Sequence, residues 1–307
     1  MVYIHPVALQ RQRPTGRLDF VDIVTDPAFL RNLGQAAQLS YEQDRETAFS
    51  VLLEPDLRSF YQSAIVLGNH TITPLYDAED MPKNLTTAGG YSLFGVTVHF
   101  HPPNSELTPS FGDMISENQL RRTNREIRQL GNRLKENLIQ SGSRLAATYG
   151  FDVEKVRAAV DVDVNNVAVI GLTLGDRGRY RSPRETEIIV YQEVGQEPLS
   201  MTDTNFRNRH SNEAKTSILN RYFTEFVQRY VEKLKQNGTL TRDKIPTASD
   251  LEKKFRQDRA LMRRIEQEIV TQPDPFGKPY YKVAHARVVD GKIPDGDLEK
   301  LRGFALV

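Results

Sequence analysis

Tyr91-Ser92-Leu93-Phe94-Gly95-Val96-Thr97-Val98-His99-Phe100-His101-Pro102 is the stretch that decides the fold. Successive side chains of a strand point to opposite faces. Val96, Val98 and Phe100 therefore share one face, and Thr97, His99 and His101 share the other. Pro102 and Pro103 end the strand, because proline cannot donate to a ladder. One face reads as core and its reverse carries two imidazoles aimed the same way. Asp113, after Ser110-Phe111-Gly112, adds a carboxylate. Two imidazoles and a carboxylate make the donor set of a hydrolytic zinc site, with a fourth position left for water.

Outward from this strand, the chain reads as alternating elements. Residues 1–24 look like an irregular or strand-containing arm. Asp26-Pro27 signals a helix start, with Asp as the cap and Pro where a missing N–H costs nothing. Leu30, Leu33 and Ala37 stripe that helix to about Glu42. Thr47 to Leu53 reads as a buried strand stopped by Pro55, Ala64 to Leu67 as a second, and Ile72 to Tyr76 as a third. Leu120, Ile127, Leu130, Leu134 and Leu138 predict a helix from near Asp113. Val153 to Val160 suggests a short helix. Val167 to Leu172 and Glu187 to Tyr191 read as neighbouring strands, joined by the basic turn Arg177 to Arg184. Residues 196–213 read as a linker or mobile loop. Ile218 to Leu234 forms a long apolar-faced helix ended by Asn237-Gly238, and a further helix runs from Ser249 or Asp250 to Ile269. The expected organisation is an α/β domain over 1–195, a mixed β-sheet flanked by helices, with a helical C-terminal extension over 196–307.

Composition narrows the chemistry. Forty-one basic and 40 acidic residues nearly cancel, so no bulk attraction to nucleic acid or membrane is expected. The absence of cysteine removes disulfides, thiolate ligands and a cysteine nucleophile. No signal-peptide core or run of about 20 apolar residues is visible, so a cytoplasmic protein is expected. His5, His70, His210 and His285 stand alone and read as surface or loop residues. Asp161 and Asp163 read as a sheet entry. Arg121, Arg122, Arg125 and Arg128, balanced by Glu117, Glu126 and Glu136, read as a solvated helix face.

Amide hydrolysis by activated water also needs a base and a donor to the oxyanion. Glu46, at the start of the first buried strand, is a candidate base. Glu42 and Glu54 are its alternatives. Ser110, three residues before Asp113, can present a hydroxyl to the oxyanion.

Glu46, then His99-Phe100-His101-Pro102, then Ser110-Phe111-Gly112-Asp113 resembles the signature of the JAMM (MPN+, JAB-domain) metalloproteases over about residues 25–195. The spacing departs from it in two places: the segment Pro102 to Pro109 is one residue longer, and Phe49 stands where the family often has glycine. The resemblance implies Zn²⁺ held by His99, His101 and Asp113, Glu46 as general base and Ser110 as oxyanion donor, on a cytidine-deaminase-like mixed sheet. It implies cleavage of an isopeptide or peptide bond at the C-terminus of ubiquitin or a ubiquitin-like protein, with activating- or conjugating-enzyme relatives as pathway partners. The substrate would lie extended beside the His-bearing strand, adding to the sheet. A metallopeptidase of another amide, or a non-catalytic MPN-type scaffold that oligomerises through the C-terminal helices, are the other readings.

Overall fold

The computed structural model describes residues 16–68, 92–102, 111–141, 154, 157–174, 185–193, 201–238, 246–271 and 281–307. The elements are α1 (Phe20–Val24), α2 (Pro27–Gln43), β1 (Thr47–Leu53), β2 (Phe60–Gln62), β3 (Val66–Leu67), β4 (Leu93–His101), α3 (Phe111–Ser141), β5 (Val167–Leu174), β6 (Glu185–Glu193), α4 (Met201–Gln236), α5 (Ala248–Gln257), α6 (Arg259–Val270), β7 (Tyr281–Val289) and α7 (Asp295–Leu301).

One mixed sheet runs β2-β1-β4-β5-β6-β7, with β3 also paired to β1. β4 and β5 are parallel and every other pair is antiparallel. A parallel pair needs a crossover, and α3 supplies it. The alternation read from β4 holds. Phe49, Val51, Val98, Phe100, Val169, Ile188 and Val190 join Phe20, Phe29 and Leu33 in the main core, on the face covered by α1 and α2. The reverse face carries a second cluster of Ala168, Ile170, Leu172, Ile189 and Tyr191, and Leu120 of α3 packs there on Leu52, Tyr61 and Phe94.

Asp26 caps α2 as its sequence predicts, accepting from the Ala28 N–H at 2.8 Å with Pro27 at the first helical position. The N-terminal arm contains a helix that its hydrophobic pattern is too short to show: Asp19 and Asp22 form a reciprocal capping box on α1. The expected strand at 64–67 shortens to Val66–Leu67, and β2 forms ahead of it. The expected strand at 72–76 and the basic turn at 177–184 lie outside the described residues.

The expected division at residue 195 needs correction. β7 pairs with β6 from Glu185↔Val289 to Glu193↔Tyr281, so the sheet is completed by the C-terminal part of the chain. Leu301, Phe304 and Leu306 enter the main core, and the Asn165 N–H donates to the Leu306 carbonyl at 2.9 Å. Tyr281 to Val289 interleaves Lys, His and Arg with its apolar residues, because an edge strand buries little of its side chains, and the alternation is correspondingly faint. Within 196–307, α4, α5 and α6 share a small core of Ile218, Tyr222, Phe255, Met262, Ile265 and Ile269, whereas α7 sends Leu301 into the main core. α4 begins at Met201, inside the segment expected to be a linker. A helix that is polar all round resembles a loop by composition.

Candidate metal centre

β4 presents its histidines from the middle of the sheet. Phe100, between them, faces the main core, where its ring lies against Gly171 of β5. A Cβ at Gly171 would fall within the ring's van der Waals envelope. This fit fixes which way β4 faces, and so aims His99 and His101 at the opposite side. Their Nε2 atoms lie 3.1 Å apart. Asp113, in the first turn of α3, brings Oδ1 to 3.3 Å from His99 Nε2. Ligand atoms of all three residues lie within 4.8 Å of one another. His99 and His101 are 4% and 8% exposed, and the Asp113 side chain is 19% exposed.

These separations suit a cation. Two ligands about 2.0–2.1 Å from a tetrahedral zinc lie roughly 3.3 Å from each other. Three donors of the N, N, O type can hold the ion and leave a coordination position for water. The site's electrostatics agree. Burial works to lower the His99 pKa, but the charge and hydrogen bond of Asp113, followed by the charge of Glu46, outweigh it and hold the imidazole above its ordinary value.

Glu46 comes to this place through its neighbours. Ser40 Oγ donates to the Arg45 carbonyl at 2.7 Å, Thr47 Oγ1 donates to the Ala36 carbonyl at 2.8 Å, and the Glu46 carbonyl accepts from the Gly68 N–H at 2.8 Å. β1 pairs with β4 as Thr47↔Phe100 and Ala48↔His99. Continued by one residue, that register sets the half-buried Glu46 opposite His101, on the histidine face. Its two alternatives are elsewhere. Glu42 is exposed at the end of α2 and accepts from Gln38. Glu54 is buried beyond the far end of β1 and accepts from the Tyr61 hydroxyl at 2.6 Å. Ser110 lies outside the described residues.

Two expectations change. A substrate strand cannot add directly beside β4 through the histidine region, because β4 is paired with β1 on one side and β5 on the other there. Nor is the inner face of α3 solvated. Glu117 and Arg121 are buried. Arg121 Nη1 donates to Glu193 Oε2 at 2.9 Å, and Glu117 Oε1 accepts from the Glu193 N–H at 2.8 Å. Burial, then the Glu193 charge, pushes the Glu117 pKa well above the ordinary carboxylate range, although the Glu193 N–H and Arg121 pull the other way. Tyr191 shares this face. Burial, then the charges of Asp113 and Glu117, pushes its phenol well up, so it stays neutral. Charge balance hid these residues in the sequence. Their signal was the spacing Asp113, Glu117, Leu120, Arg121, Asn124, which is one helix face.

Arg125 and Arg128, by contrast, do reach solvent and pair with Asp163, and Arg128 also with Asp161. Those two aspartates lie in the extended approach to β5, as a sheet entry should. His285 sits on β7 rather than in a loop. His5 and His70, and the His210 side chain, lie outside the described residues. Among the described residues no helix is long and apolar enough to cross a membrane.

No family model, curated protein or solved structure matches the chain.

Proposed function

We propose that this chain is a zinc-dependent amide hydrolase of the JAMM/MPN+ type, acting on a peptide or isopeptide bond at the C-terminus of ubiquitin or a ubiquitin-like protein. The observation that carries the reading is the convergence of Asp113 on His99 and His101: residues from a helix and a strand place three ligand atoms within 4.8 Å. The parallel β4–α3–β5 crossover and the place of Glu46 in the register support it. His99, His101 and Asp113 would hold the zinc, which would supply Lewis acidity toward water and an amide carbonyl.

The chain's own groups do the remaining work. Glu46 takes the proton that water gives up and returns it to the leaving amine. The resemblance assigns the oxyanion donor to Ser110. Apolar residues beside the histidines, Ile170 and Leu172, exclude bulk water from the floor of the site. With β4 paired on both sides, the substrate approaches over the histidine face rather than along the edge of that strand.

The test is cleavage of an amide-linked ubiquitin-type conjugate by the zinc-loaded chain. Turnover is expected, lost with a chelator and in His99→Ala. Glu46→Gln should lower the rate by at least a hundredfold, in line with the usual contribution of general acid–base catalysis, while retaining one zinc per chain. Cleavage that survives both substitutions rules the mechanism out. Cleavage confined to other peptides keeps the metal chemistry and rejects the ubiquitin-type substrate. A chain that binds zinc in no condition leaves the scaffold reading.

A further inference from the structure

A ligand set split between a strand and a helix works only if the helix cannot slide. One residue of slip moves a helix by about 1.5 Å and turns it by roughly 100°, which would carry Asp113 away from His99. Among the described side chains of α3, the buried ones are Glu117, Leu120, Arg121 and Asn124. Three of these four are polar. Leu120 and the half-buried Ile127 give non-directional contacts that tolerate sliding.

The polar three each fasten to the sheet. Glu117 and Arg121 both hold Glu193, the last residue of β6, one through its N–H at 2.8 Å and the other through its carboxylate at 2.9 Å. Asn124 takes both backbone groups of Phe94: its Oδ1 accepts from the N–H at 2.7 Å and its Nδ2 donates to the carbonyl at 2.8 Å. Phe94 lies at the register shift of β4, where Val51↔Val96 gives way to Leu52↔Phe94. Asn124 therefore secures backbone groups at an irregularity of the ladder.

The lengths match. From Asp113 to Asn124 the helix rises about 16 Å, and from His99 back to Phe94 the strand also covers about 16 Å. Helix and strand run side by side over one distance, joined by Asn124 at one end and by the ligand cluster at the other.

We infer that Glu117, Arg121 and Asn124 are positioning residues for the metal centre: they lock the register of α3 on β4 and β6 so that Asp113 meets His99 and His101. This rests on the metal-site reading above. The lock acts through the placement of Asp113.

The experiment is Co²⁺ titration of the full chain, read by affinity and by the visible absorption bands of the bound ion, with thermal unfolding of the metal-free chain measured in parallel. Asn124→Ala, and Arg121→Met combined with Glu193→Gln to avoid an uncompensated buried charge, should each weaken Co²⁺ binding at least tenfold and alter the bands. Phe304→Leu, in the core on the other face of the sheet, should lower the melting temperature without changing either. Glu117→Ala should weaken binding as the lock variants do. Glu117→Gln, which keeps the acceptor for the Glu193 N–H, should restore affinity to within about threefold of wild type, since the loss to be recovered is of the size seen for outer-shell partners. If the lock variants fail to fold, this pair decides. Wild-type affinity and bands in folded Asn124→Ala or Glu117→Ala overturn the lock alone. A wild-type chain that binds no Co²⁺ overturns the metal centre, and the lock with it.

Discussion

Individual residues show how much a sequence reveals when the environment is unknown. His99 and His101 were legible because period-two spacing and a following proline are local facts. Arg121 was not. Four arginines balanced by glutamates look solvated, and nothing in the chain nearby announces that Glu193 will close over one of them. His285 was misplaced for a related reason: a lone histidine among Lys282, Ala284 and Arg287 carries no mark of burial. Burial, followed by the charges of Arg263 and Lys300, holds its pKa below the ordinary value, and its Nε2 is buried without a hydrogen-bond partner among the described residues. The sign follows directly. The unfolded chain takes up this proton as pH falls through about 6.5, while the folded chain resists it, so His285 contributes stability above that pH which is lost as pH falls toward the folded value. Chemical denaturation between pH 7.5 and 5 should show stability declining on acidification, and less so in His285→Gln. Equal declines in both chains would place the acid sensitivity elsewhere.

At the scale of elements, β4 could be read before the structure and its partners could not. Alternation gave the strand, its faces and its proline stop. Its neighbours depend on register, which is set by contacts far along the chain. The Phe100 ring fills the space beside Gly171, and a glycine in an apolar strand, Val167-Ala168-Val169-Ile170-Gly171-Leu172, is the one trace of that fit in the sequence. Gly171→Ala should overpack the core and cost about 1–3 kcal/mol, read as a lower denaturation midpoint with an unchanged slope. It should also weaken metal binding, because Phe100 cannot shift without moving the histidines on either side. Unchanged stability would mean that the ring relaxes freely and does not fix the facing of β4. Glu46 illustrates the same dependence. Its type and place at a strand start were visible, but the ties from Ser40, Thr47 and Gly68 that bring it to the histidine face join elements separated along the chain.

The whole molecule differs most from the expectation drawn from composition. A change in residue usage after Gly195 suggested a boundary, yet β7 and the terminal Leu301, Phe304 and Leu306 return to the sheet and its main core. A polar edge strand and a short apolar tail are weak signals, whereas the long amphipathic helices that precede them are strong ones. A fragment of residues 1–195 should consequently fail to fold stably: it bares the edge of β6 and opens the main core, both of which favour aggregation. Cooperative unfolding and a monomeric state for that fragment would instead make β7 and the tail dispensable.

The histidine pair, the aspartate and the mixed sheet converge on one place, and metal binding there is the most direct test. Titration of the full metal-free chain with zinc, followed by calorimetry, should show one tight site per chain, abolished in His99→Ala while circular dichroism remains that of the folded protein. Absence of binding in the wild-type chain, or undiminished binding in folded His99→Ala, would contradict a metal centre at His99, His101 and Asp113.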